Sequence, residues 1–205
     1  MPLPVLRIAV PVLAISLLGV YSSSVLAQAH PSSLLETGHL SVAGRELPYQ
    51  IRNLPVSSFP NLPQPVADAL TARGCVVPQT YRAHHPENVV HASLERPASS
   101  DWAVLCGVKG TVSLLVFFAS ASPEKPVILA TSPETGHLQV DDRTGELGFN
   151  WGIDPASPAK IRDAQAGMAH HPPLPDHDCL EDTIIDHKTV YHLYRNGAWE
   201  IVEVE

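Results

Sequence analysis

The stretch DWAVLCGVKGTVSLLVFF, Asp101 to Phe118, decides the fold class. It holds two short apolar runs, Trp102 to Cys106 and Val112 to Phe118, each of strand length and rich in β-branched or aromatic side chains. The second is apolar nearly throughout, which predicts a central strand covered on both faces, with a helix on one of them. Working outward, Val89 to Leu94 precedes this pair and Val127 to Ala130 follows it. Short connections between the runs predict an antiparallel meander.

Further upstream, Pro55, Pro60, Pro63 and Pro65 form an extended stretch that ends where a helix can begin. Pro65 falls in its first turn, Gly74 stops it, and Val66, Ala69 and Leu70 form its buried stripe. Leu40 to Val42, the turn Ala43-Gly44-Arg45 and Leu47 to Ile51 read as a hairpin, with Pro48 placing the second strand at an edge. A second helix is expected over Ser157 to Met168, with Ile161, Ala164 and Met168 facing inward. Near the carboxyl end, Asn196-Gly197 supplies the positive φ angles of a two-residue hairpin turn, which sets Tyr194 opposite Trp199, Leu193 opposite Glu200 and His192 opposite Ile201. No internal repeat is visible. The expected architecture is a single α+β domain over 39–205, an antiparallel sheet with one or two short helices packed on it.

The amino terminus predicts the compartment. One positive charge near the start, the apolar run Ile8 to Val20 and the small residues of Ala27-Gln28-Ala29 follow the order of a secretory signal peptide, cut after Ala29. The run of about thirteen residues is too short for a spanning helix, which needs about twenty, so no stable membrane insertion is expected after cleavage. Residues 30–38 read as a flexible leader. A secreted or periplasmic product follows from this reading.

Lys and Arg number 13 against 21 Asp and Glu, a formal net charge of -8 at pH 7, which excludes a nucleic-acid partner held by its phosphates. The chain also has 11 His, all beyond residue 29, so charge-driven contacts are expected to depend on pH. Scattered histidines without a switching role are the plainer alternative. No phosphate loop, dinucleotide fingerprint or basic-aromatic interleaving is present, and no cofactor is implied.

Secretion places Cys75, Cys106 and Cys179 in an oxidising compartment, where one pair is expected to bond. Cys75 follows the helix stop and Cys106 ends an apolar strand, so these two are paired and Cys179 is left free or metal-bound. Buried thiols remain the competing reading. Around Cys179 lies the densest set of ligand-type side chains, His170-His171-Pro172-Pro173-Leu174-Pro175-Asp176-His177-Asp178-Cys179. Imidazole, carboxylate and thiolate suit zinc or copper, with His171, His177, Asp178 and Cys179 as candidate ligands. The alternative is a polar, proline-stiffened loop whose side chains bond the backbone. His84-His85 near His91 forms a second cluster, read as a solvated loop. Neither Cys106 nor Cys179 sits in a catalytic motif, and there is no Gly-x-Ser-x-Gly elbow.

Arg73-Gly74-Cys75-Val76-Val77-Pro78-Gln79, Asp101 to Cys106, Ser113 to Phe118 and the tail Asp176-His177-Asp178, Asp182 and Gly197-Ala198-Trp199 resemble a family of uncharacterised secreted bacterial proteins. The resemblance implies no activity. It favours the Cys75 to Cys106 disulfide, because both residues lie inside its motifs, whereas Cys179 lies beside the tail motif. Ala92 through Phe118 is also similar in shape to one blade of the FG-GAP calcium-binding repeat. Glu95 to Asp101 departs from that repeat, since Pro97-Ala98 interrupts its few side-chain oxygens and leaves too few ligands for calcium.

Two functions are thus expected from different classes. The first is a non-catalytic binding or envelope-associated module with a protein or glycan partner, carried by exposed strand edges or an aromatic patch at Tyr194 and Trp199. The alternative is a metal-binding protein or metal-dependent secreted hydrolase built on 170–187.

Overall fold

The computed structural model describes residues 34–204. The signal sequence, its cut after Ala29 and residues 30–33 of the leader lie outside the described residues. In chain order the elements are β1 Leu34–Val42, β2 Arg45–Pro55, α1 Gln64–Ala72, β3 Val76–Gln79, β4 Val89–Ala92, β5 Asp101–Val108, β6 Thr111–Phe117 and β7 Val127–Pro133. They continue as β8 Leu138–Val140, β9 Leu147–Phe149, β10 Trp151–Ala156, α2 Pro158–Ala164, β11 Cys179–Ile184, β12 Lys188–Arg195 and β13 Ala198–Val202. Strands dominate, so the α+β expectation fits only loosely: there are two helices, and both are short.

There are two sheets where one was expected. The larger follows the order β7-β6-β5-β3-β2-β9-β8, with β1 added to β2 and β4 to β5. The smaller is β10-β11-β12-β13. All pairings are antiparallel except that of β2 with β9.

Alternation along β6 shows how the layers stack. Val112, Leu114 and Val116 point into a core shared with Trp151, Ile153 and Leu180 of the smaller sheet. Leu115 and Phe117 point the other way, against Val66 and Leu70 of α1. The strand is therefore buried on both faces with a helix on one, as its composition predicts. On the far side of the smaller sheet, Ile161 of α2 packs on Ala156, Cys179, Tyr191 and Leu193. The order of layers is helix, sheet, sheet, helix.

Three hairpins use the same turn. Ala43-Gly44, Lys109-Gly110 and Asn196-Gly197 each place two successive residues at positive φ, which matches the twist of the strands they join. The carboxyl hairpin has the predicted register, Tyr194 opposite Trp199 and His192 opposite Ile201. The first hairpin is longer than expected, because β1 reaches back to Leu34 into the segment read as a leader. Pro48 lies opposite His39 in that hairpin, but β2 is not the edge strand its proline predicts: it pairs with β1 on one side and, from Tyr49 onward, with β9 and β3 on the other.

α1 spans the predicted segment, with Pro65 in its first turn and Gly74 at φ 73 just beyond it. α2 is capped by Ser157, whose Oγ accepts from the Lys160 N–H, but it ends at Ala164 rather than Met168. The inward residue there is Gln165, whose side-chain amide donates to the Glu203 carbonyl at 2.8 Å.

Cys75 and Cys106 are disulfide-bonded, with Cα atoms 5.1 Å apart, and tie the end of α1 to β5. Cys179 is free and buried.

Candidate functional site

The residues read as metal ligands do not converge. His177 and Asp178 lie just before β11 and Cys179 opens the strand, and the three side chains are taken up by three different parts of the fold. The His177 ring is buried, with Nε2 donating to the Tyr194 carbonyl at 2.9 Å and Nδ1 against Asp176 Oδ1 at 2.7 Å. Asp178 accepts from the Ser93 N–H at 3.0 Å and its own N–H donates to the Ser93 carbonyl at 3.2 Å, which docks the segment on the end of β4. Cys179 points into the α2 core, where burial pushes its thiol up to about 12. His171 is exposed. Among the described residues, no group of three or more His, Cys, Asp or Glu side chains is placed to hold a metal ion. His177 and Asp178 are thus bonded to backbone groups, Cys179 lies in a core and His171 in solvent.

Tyr194 and Trp199 are not an uncovered patch. Both pack on Phe118, with ring centroids at 4.6 and 6.0 Å, and close one end of the core between the sheets. Asp182, from the tail motif, is also structural: it accepts from Trp151 Nε1 at 2.6 Å and faces His192 Nε2 at 3.1 Å, linking β10, β11 and β12. Exposed apolar side chains sit instead on the edge strands, Ile128 on β7 and Ile201 on β13.

The polar groups that do converge line a groove along the edges of β4 and β10. Its acidic half, about 530 Å3, is lined by Arg82, His85, Glu87, Asp154 and Glu181. Its apolar half, about 560 Å3, is lined by Phe59, Pro60, Leu62 and Trp102, and the two halves share Pro86, Val89 and His91. His91 stacks on Trp102 across the β4–β5 ladder, ring centroids 4.5 Å apart, and its Nε2 meets Ser100 Oγ at 2.7 Å. The cluster read as a solvated loop thus contributes two of its three histidines to a groove wall.

Local geometry fixes the groove floor. Asn88, at φ 68 and almost fully buried, donates to the carbonyls of Pro78 (2.7 Å) and Trp151 (3.2 Å) and accepts from the Ile153 N–H (3.0 Å). It therefore locks β10 beside the start of β4. Glu87 is held by Thr80 Oγ1 at 2.9 Å, and its N–H donates to Gln79 Oε1 at 2.8 Å. Asp154 and Glu181 are cross-strand neighbours. Burial, and then the charge of Glu181, pushes the Asp154 carboxyl up, while Lys160, which ion-pairs with Glu181, partly offsets this. Like charges placed opposite one another destabilise a sheet, so this pair is a local cost of stability. Sequence spacing carries no sign of the groove, since its residues come from five separate segments between Ser58 and Ile185.

A second buried carboxyl lies away from the groove. Glu134 is 3% exposed, and burial, reinforced by Glu36 and opposed by a bond to Asn53, pushes it up to about 7. In the folded chain it is neutral below that value, whereas unfolded it ionises from about 4.3. Stability is therefore expected to fall as pH rises from about 4.5 to 7, by roughly 2–3 kcal/mol from this group alone. Urea unfolding at pH 5 and pH 8 should show Glu134→Gln matching the parent at the lower pH and exceeding it at the higher. Equal differences at both would refute the assignment.

No family model matches the chain, and neither curated proteins nor solved structures yielded a match.

Proposed function

We propose that the chain is a secreted or periplasmic, non-catalytic binding module whose groove takes an extended segment of a partner protein. The observation that carries this reading is the junction at His91, which lines two adjoining cavities, one walled by aromatic Phe59 and Trp102 and the other by the carboxylates of Glu87 and Asp154. Such a surface suits a segment with an apolar side chain next to a cationic one, and anchors of this kind dominate binding energy when they fill a pocket. Arg82 is committed to Asp186 and Lys160 to Glu181, which leaves Glu87 and Asp154 as the carboxylates of the acidic half without an ion-pair partner among the described residues. The Cys75–Cys106 disulfide fits an oxidising compartment, and no helix among the described residues is long and apolar enough to cross a membrane.

A displayed library of short random peptides and an array of envelope glycans, each probed with the parent and with His91→Ala and Glu87→Gln, tests the proposal. Selected peptides should pair an aromatic or proline with Lys or Arg, and lose about tenfold in affinity in each variant. Their binding should also weaken with salt. Glycans bound in preference to every peptide, or peptides indifferent to both substitutions, would refute it.

A further inference from the structure

A separate cleft, independent of the groove reading, lies on the outer face of the larger sheet. Its floor comes from Gln50 and Arg52, two residues apart on β2 and so on the same face. Its walls are the segment Thr80-Tyr81 and the turn carrying Thr144 and Glu146, and it encloses about 220 Å3, room for one small polar molecule.

The walls are built rather than incidental. Tyr81 donates its N–H to the Phe149 carbonyl at 2.8 Å, and its own carbonyl accepts from Arg143 Nη2 at 2.9 Å. Tyr81 also lies directly over Gly148, where a Cβ would come within 2.4 Å of the tyrosine Cβ, so only glycine permits this approach. Arg143 in turn grips Asp141 through Nε and Nη2 at 3.0 and 2.9 Å, which consumes the Asp141 charge and holds it down.

Arg52 is left with little. Its Nη2 donates to the Ala83 carbonyl at 3.3 Å, and among the described residues no carboxylate reaches within ion-pair distance of it. A half-buried guanidinium held by one carbonyl has lost part of its hydration without gaining an anion, and it presents a planar fork that fits a carboxylate. Glu146 and Thr144 also line the cleft; their side-chain oxygens can accept hydrogen bonds, the Thr144 Oγ1 already taking one from the Glu146 N–H at 3.3 Å.

We propose that this cleft binds a small carboxylate that carries hydrogen-bond donors beside the acid, with the carboxylate on Arg52 and the donors on Glu146 and Thr144. Two sources share this chemistry. An α-amino acid offers an ammonium, and a uronic acid offers ring hydroxyls.

Calorimetric titration of the folded chain with L-alanine, glucuronate, glucose and ethanolamine separates them. One of the two acids should bind, while glucose and ethanolamine, which lack the carboxylate, should not. Arg52→Gln should weaken that binding at least about tenfold. Glu146→Gln should weaken L-alanine about as much if the ammonium is read, and leave glucuronate within about twofold. Should Arg52→Gln fail to fold, Thr144→Trp, placed at an exposed rim, blocks the cleft and must abolish binding. No heat from either acid at about 10 mM, equal binding of a control compound, or binding that survives both Arg52→Gln and Thr144→Trp would overturn the proposal.

Discussion

Asp101→Ala should lower the unfolding free energy by about 4–5 kcal/mol, which for a chain of ordinary stability removes a third or more of the total. Asp101 is fully buried at the start of β5. Its Oδ2 accepts from the N–H groups of Leu94 (2.9 Å) and Glu95 (2.8 Å) and from the Ser99 hydroxyl, and its Oδ1 accepts from the Ala119 N–H at 2.8 Å. One carboxylate thereby closes the β4–β5 loop and fastens the exit of β6. Removing it leaves three backbone donors without acceptors, one buried and two part-buried, each worth about 1–3 kcal/mol when orphaned, with relief from water at the part-buried ones. Asp101→Asn should be nearly as damaging, because the amide turns a donor toward donors. Chemical denaturation with an unchanged slope and a much lower midpoint is the expected result. A loss below about 1 kcal/mol would mean that the loop holds without its anchor.

Reducing the Cys75–Cys106 bond is the second large effect. It closes a loop of 31 residues, so its loss should release about 3–4 kcal/mol of constraint on the unfolded chain. In a domain of this size that lowers the melting temperature by roughly 10 °C. Cys75→Ala combined with Cys106→Ala should do the same in oxidising buffer and remove the response to reductant. Cys179 is buried and its thiol is pushed up to about 12, so it should neither exchange with the pair nor react with alkylating reagents in the folded state. A melting temperature that moves by less than about 2 °C on reduction would contradict this account.

The four candidate ligands are separated by geometry that spacing does not carry. His171, His177, Asp178 and Cys179 lie close in the chain, but His177 reaches to β12, Asp178 to the end of β4 and Cys179 to α2. Each is satisfied by a neighbour far away in sequence. A cluster of ligand-type residues therefore read as a site when it is three separate anchors. The groove presents the reverse case, since His91 and Trp102 become a stacked pair only because the β4–β5 register sets them opposite one another.

Short-range chemistry was legible throughout. Asn196-Gly197 set the register of the last hairpin, Gly74 stopped α1, and the apolar pattern of Val112 to Phe118 announced a strand covered on both faces. Turn torsions, caps and alternation depend on neighbours within a few residues, so one sequence suffices to read them. The division into two sheets and the parallel contact of β2 with β9 depended on partners tens of residues apart. So did the groove and the Arg52 cleft, whose floors and walls meet only when the sheets stack and the loops beside them close. The sequence by itself determined the strands of the central meander and of the two terminal hairpins and favoured the Cys75–Cys106 pair; only the tertiary structure decided the remaining strands and which polar side chains face one another, because burial and long-range pairing assign polar atoms their partners.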